Sequence, residues 1–139
     1  MKVYVAAPWT HKAEALEYAM AIEAAGHEIT KKWWEHREVP GYLDSVISVA
    51  NQVELETQAA EDIAGVLAAD AFVLLNVGKS EGKAVETGVA LIAALLSQGR
   101  GPMSGPTTFI LVGGMSNLFH YLQVWHMAQT PEDVIALLR

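Results

Sequence analysis

The chain is 139 residues long, 52% hydrophobic and 18% charged, with no Cys and a formal net charge of −7. That length supports one domain with a single sizeable core. The acidic balance, with 9 Lys and Arg and no basic run, excludes a surface for nucleic-acid polymers, and the lack of Cys excludes disulfides, thiolate metal sites and a Cys nucleophile.

Lys2 to Ala6 (KVYVA) reads as a short apolar strand that begins almost at the first residue, without the apolar region of a signal peptide. A cytoplasmic protein is expected. The most apolar run, Val85 to Leu96, contains Glu86 and stops short of the roughly 20 residues a membrane span needs, so no membrane partner is expected. Ala7-Pro8-Trp9-Thr10 reads as a turn. Thr10 is placed to cap a helix running to about Ala25, with Leu16, Ala19, Met20 and Ile22 or Glu23 on its inner edge. Gly26 signals its end, and His27 to Thr30 predicts a second strand. This β-α-β start lacks both G-x-G-x-x-G and G-x-x-x-x-G-K-[ST], which disfavours a dinucleotide site and a P-loop.

Lys31 to about Asn51 is the least regular stretch and holds Trp33, Trp34, Pro40, Gly41 and Tyr42. Long loops in compact domains are commonly lids or binding loops, and the aromatics argue against plain disorder. Trp33 and Trp34 are expected either to cover the core edge or a subunit contact, or to stack on a nucleobase. A helix from about Gln52 to Ala69 follows, with Leu55, Ala59, Ile63, Val66 and Leu67 as its apolar stripe. Asp62 falls inside that stripe, where a carboxylate is costly unless paired or functional. Glu54, Glu56 and Glu61 read as solvated.

Ala71 to Val77 predicts a strand buried on both faces, followed by a Gly-bearing loop (Gly78 to Gly82) and a helix opening at Lys83 with Glu86 in its first turn. The loop resembles an anion cradle, with Ser80 and Lys83 able to add hydrogen bonds to a phosphate. Past Glu86 the helix is apolar nearly all round, which predicts a homodimer or higher homo-oligomer packed on it. Ser97 to Pro106 is a turn-rich connector, Thr107 to Val112 a fourth strand, and Gly113 to Asn117 a Gly-rich loop. A short helical stretch, Leu118 to Leu122, leads to a fifth strand at Gln123 to Met127. Thr130-Pro131-Glu132-Asp133 then opens the last helix with a cap, a first-turn Pro and acids at the positive dipole end. The order implies an α/β domain spanning residues 1–139: a five-stranded parallel, doubly wound (Rossmann/flavodoxin-like) sheet with helices on both faces.

Ligands of such sheets bind beyond the carboxyl ends of the strands. That edge collects Tyr4, Pro8 and Trp9 from the first strand and its loop, Ser80, Gly82 and Glu86 after the third, and Ser116 and Asn117 after the fourth. Asp62 comes from the helix before the third strand. Two carboxylates facing one cleft are the minimum for glycosidic-bond chemistry, one acting on the anomeric carbon and the other on the leaving group's proton. The five His show no metal-ligand spacing, so neither metal nor cofactor is expected.

Read together, K-V-Y-V-A-A-P-W, A-E-D-I-A-G-V-L-A-A-D-A-F-V-L-L, S-E-G-K-A-V-E-T-G-V-A, S-N-L-F and L-Q-V-W span most of the chain. In these stretches it resembles the nucleoside 2-deoxyribosyltransferases and the related 2'-deoxynucleoside 5'-monophosphate N-hydrolases. The resemblance implies that Glu86 is the nucleophile at C1' of the sugar, with Asp62 assisting departure of the base and Tyr4 orienting Glu86. It further implies that Trp9, with Trp33 or Trp34 on the other face, sandwiches the base, and that Asn117 reaches the sugar 5' end of a neighbouring subunit's ligand. The transferases carry Asp where this chain has Ser80; the monophosphate hydrolases carry Ser there and use a Ser after the fourth strand, matched by Ser116. Ser80 therefore points towards a 5'-phosphorylated substrate, with hydrolysis and transfer both open, and no cofactor is implied. A non-catalytic nucleotide sensor on the same fold is the alternative. A phosphoribohydrolase ranks lower, because G-G-x-G-T-x-x-E is absent.

Overall fold

The structure is a computed structural model and describes residues 1–40, 47–97 and 105–139. Gly41 and Tyr42, and most of the connector between Ser97 and Pro106, lie outside the described residues. The strands are β1 (Lys2–Ala6), β2 (Glu28–Ile29), β3 (Ala71–Leu75), β4 (Thr108–Val112) and β5 (Trp125–Ala128). The helices are α1 (Lys12–Ala24), α2 (Val49–Leu67), α3 (Glu81–Ser97) and α4 (Pro131–Leu137). The five strands are all parallel in the order β2-β1-β3-β4-β5. α1 packs beside α4, and α2 beside α3. Right-handed crossovers put the two pairs on opposite faces of the sheet. The doubly wound parallel sheet expected from the sequence is the one observed.

β3 is central and every residue in it is buried, which is why it reads as a continuous apolar run. Register places Tyr4 beside Phe72, Phe72 beside Phe109 and Phe109 beside Trp125. This row of aromatics crosses four strands, with successive ring centroids 5.9, 6.2 and 5.4 Å apart. Its first member, Tyr4, carries a hydroxyl at its tip, and so delivers a polar group from the core to the underside of the helix layer.

Several boundaries differ from the sequence reading. Pro8 is extended and opens a 3-10 turn over Trp9–His11, so Thr10 lies inside that turn and caps nothing; His11 precedes α1 without a side-chain cap. The core side of α1 is Ala15, Ala19 and Ile22, while Leu16 and Met20 are exposed, because the alanines let the helix lie close on β1. Ser48 caps α2 by accepting from Asn51 N, so the helix starts three residues before Gln52. Ala59 and Ile63 are exposed; the face of α2 turned inward is Gln58, Asp62, Gly65 and Val66. Gly65 is the reason. A Cβ there would stand 2.6 Å from Lys31 Cβ and 3.1 Å from the Tyr4 ring, so only Gly lets α2 approach at this point. Glu54 is half-buried rather than fully solvated.

β3 ends at Leu75 and α3 begins at Glu81, two residues before Lys83, which moves Glu86 from the first turn to the second. β2 is only two residues long, and β5 begins two residues after Gln123. The expected cap of α4 is present as a full capping box between Thr130 and Asp133. α3 buries Thr87, Ala90 and Ala93, leaving Val85, Ile92, Leu95 and Leu96 exposed. Among the described residues no helix is long and apolar enough to cross a membrane.

Candidate active site

A cavity of about 690 Å³ opens at the carboxyl ends of β1 and β3. The turn from Ala7 to Thr10 forms one wall, and the stretch from Trp33 to Val39 another. The inward face of α2 adds Leu55, Gln58 and Asp62; the segment Lys79 to Lys83 and Glu86 complete it. Parallel strands end together at this edge, and their loops must turn away from it, so a concavity is the natural outcome.

Glu86 lies in this cavity, half-buried, and accepts a 2.7 Å hydrogen bond from the Tyr4 hydroxyl. Burial pushes its carboxyl up to about 7; the Tyr4 bond works against that rise, and Asp62 adds to it. Tyr4 itself is fully buried under the cavity floor and reaches it only through its oxygen. Burial, followed by the neighbouring Glu86 and Asp62, holds the Tyr4 hydroxyl far above its ordinary range. It therefore stays protonated at any working pH and is a fixed donor to Glu86.

Asp62 faces the same cavity, its Oδ1 2.8 Å from His36 Nε2. Burial raises its carboxyl above the usual range, and the His36 bond partly offsets this. Both carboxyls are thus biased towards holding a proton, and each has one dedicated partner: Tyr4 for Glu86, His36 for Asp62. Environments that set two carboxyls apart in this way are a common basis for dividing acid and nucleophile roles.

Lys83 is one of the cations of the cavity lining, with Arg37 and Lys79. Its Nζ donates to Asn76 Oδ1 at 3.1 Å and to the Gly78 carbonyl at 2.7 Å, and burial lowers its ammonium below the usual range. It makes no salt bridge among the described residues. Ser80 Oγ accepts from Lys83 N at 3.3 Å, which makes Ser80 the cap of α3 and leaves its hydroxyl hydrogen free to donate.

Of the residues singled out from the sequence, Pro8, Trp9, Asp62, Ser80, Gly82 and Glu86 line the cavity, and Tyr4 touches it from below. Ser116 and Asn117 do not line it. Ser116 Oγ sits 3.0 Å from Asn76 Nδ2, and so joins the cavity only through the Asn76–Lys83 contact. Asn117 caps the short 3-10 helix Leu118–Tyr121, accepting from Phe119 N. Trp33 lines the cavity and also anchors the core edge, its Nε1 donating to the Val5 carbonyl at 2.7 Å. Trp34 is outside the lining and packs edge-on against Trp33. His36 and Gln58 escaped the sequence reading. His36 lies in the irregular segment, where no periodicity reports facing, and Gln58 falls outside the expected apolar stripe. Among the described residues no group of three or more His, Asp or Glu is placed to hold a metal ion.

No protein-family model matches the chain, and no curated protein does. Among solved structures the chain is similar to a CMP N-glycosidase of Clostridium botulinum, BcmB, at 17% identity and a TM-score of 0.52. The alignment covers 99% of this chain and 98% of that one. The two share a fold.

Proposed function

We propose that the protein cleaves the N-glycosidic bond of a 2'-deoxynucleoside 5'-monophosphate, or of the nucleoside, through a covalent intermediate on Glu86. The observation that carries this reading is the pair of cavity carboxyls with different partners, Glu86 on Tyr4 and Asp62 on His36. The likeness in fold to a CMP N-glycosidase supports cleavage of a nucleotide's glycosidic bond in general.

Ionised Glu86 attacks C1'; the bond from C1' to the base nitrogen breaks, and its electron pair leaves with the base. Asp62 supplies the proton that makes the base a neutral leaving group, and becomes a carboxylate steadied by His36. The resulting ester holds the sugar on Glu86. Attack at C1' by water or by a second base, either one giving its proton to Asp62, then releases Glu86 and restores the starting state. Tyr4 keeps one lone pair of Glu86 engaged and so aims the other oxygen. Lys83 and the Ser80 hydroxyl, beside the start of α3, supply a cation and a donor suited to a 5'-phosphate. Trp9 offers an aromatic face for the base. The exposed apolar side of α3 supports a homodimer or larger assembly, for which a monomeric elution volume in size exclusion is the contrary result.

The test is chromatographic. Each 2'-deoxynucleoside and each 5'-monophosphate is incubated with the protein, with and without an acceptor base, beside Glu86→Ala and Lys83→Ala. Free base from monophosphates, lost in Glu86→Ala and weakened through KM in Lys83→Ala, is the expected outcome. New nucleoside formed only with acceptor would make the reaction a transfer. No product from any mixture refutes the enzyme and leaves a nucleotide sensor.

A further inference from the structure

Gln58 stands one helical turn before Asp62 on the inward face of α2, and both line the cavity. Its amide nitrogen donates to the Arg37 carbonyl and to Glu54 Oε1, each at 2.9 Å. Both partners accept hydrogen bonds only, the carboxylate in its ionised form, so the atom between them must be the NH2 group and not the oxygen. A primary amide has two N–H groups, and both are therefore committed. What remains is the carbonyl oxygen, which has no hydrogen-bond partner among the described residues. The backbone carbonyl of Arg37 and the i, i+4 carboxylate of Glu54 hold the amide from two sides, which prevents it from turning its NH2 towards a ligand.

Resting on the glycosidase reading above, we infer that Gln58 selects the base: its locked amide offers an acceptor alone and favours nucleobases that present an exocyclic amino group. One helical turn, about 5.4 Å, separates Gln58 from the acid Asp62, comparable with the width of a base ring. A base protonated by Asp62 near its glycosidic end thus reaches Gln58 with the substituent across the ring. The 4-amino group of cytosine or the 6-amino group of adenine donates to the Gln58 oxygen. The 4-oxo group of uracil or the 6-oxo group of hypoxanthine meets it lone pair to lone pair, and the amide cannot flip to accommodate it. A site built to pair with a donor rejects the analogue that lacks one, because its polar group is left unpaired.

The experiment compares dCMP with dUMP and dAMP with dIMP, by kcat/KM for base release and, separately, by quenching of Trp fluorescence at equilibrium. The wild type should favour the amino member of each pair by about tenfold to a hundredfold. Gln58→Leu should bring each ratio within about threefold of unity, in kcat/KM and in binding alike. Glu54→Ala, which alters a residue outside the cavity lining, should relax the ratio as well, since it frees one N–H and lets the amide turn; it keeps the test open should Gln58→Leu not fold. Ratios unchanged in both variants, or a wild type that favours the oxo member, overturn the inference. Binding that discriminates through Gln58 without any turnover sinks the glycosidase reading alone and leaves this one standing. No binding of any of the four nucleotides overturns both.

Discussion

Replacing Tyr4 by Phe removes one hydroxyl and keeps the ring that stacks on Phe72 at 5.9 Å. The hydroxyl donates to Glu86 at 2.7 Å, and a hydrogen bond to a charged group is worth about 1.5–3 kcal/mol. At about 1.36 kcal/mol per pH unit, its loss should move the Glu86 titration up by about one to two pH units. Burial already holds that carboxyl at about 7, so in Tyr4→Phe it should titrate near 8 to 9. Glu86 must be ionised to attack, and about half of it is ionised at pH 7 in the wild type. In the variant the ionised share falls to roughly a tenth or a hundredth, so kcat/KM at pH 7 should drop about fivefold to fiftyfold. The ascending limb of kcat/KM should move up with the titration of Glu86, while the descending limb, set by the proton on Asp62, stays in place, because the defect is one of protonation and not of shape. The assay is base release across pH 5 to 10, fitted for the ascending limb of kcat/KM. A loss of equal size at every pH, with the limb unmoved, would refute the reasoning: Tyr4 would then act on the substrate and not through the charge of Glu86.

The same raised carboxyl links stability to pH. Folded Glu86 holds its proton up to about 7, whereas in the unfolded chain it lets go near its ordinary value of 4.5. The stability this carries is present below 4.5 and is lost as the pH rises to about 7, a span worth about 3 kcal/mol. Glu86→Gln, which cannot ionise, should therefore be more stable than wild type by about 2–3 kcal/mol at pH 8 and about equal at pH 4.5, read by urea denaturation. His36→Asn removes the partner of Asp62; its carboxyl should titrate higher and kcat should fall about tenfold, with His36→Gln recovering part of the loss in a kcat–pH profile. Gly65→Ala would put a methyl group 2.6 Å from Lys31 Cβ and against the Tyr4 ring. It should destabilise the fold by about 1–3 kcal/mol and lower kcat through displacement of Tyr4; an unchanged urea midpoint would contradict the close approach of α2.

Much of the architecture follows from local sequence physics. The continuous apolar run of β3, the Thr130–Asp133 capping box and the left-handed Gly26 after α1 are written within a few neighbouring residues, and the structure has each of them. The alternation of strands with helices implies a parallel sheet, and a parallel sheet brings the loops after β1 and β3 to one edge, which is why Trp9, Ser80 and Glu86 could be grouped from sequence. The rotation of α2 was legible only in part. Its apolar residues pointed to an inner stripe of Ala59 and Ile63 with Asp62 inside it, yet the helix turns Gln58 inward beside Asp62 and leaves Ala59 and Ile63 exposed, because Gly65 lets it press on Tyr4. Steric closeness of that kind leaves no periodic trace. Nor do the pairings that give the carboxyls their character: Tyr4 meets Glu86 across 82 positions, and His36 meets Asp62 across 26. The residue types and their order determine that two carboxyls can reach one cleft; only the packing of α2 and the irregular segment on the sheet decides which neighbour holds each one, and therefore how readily each keeps its proton.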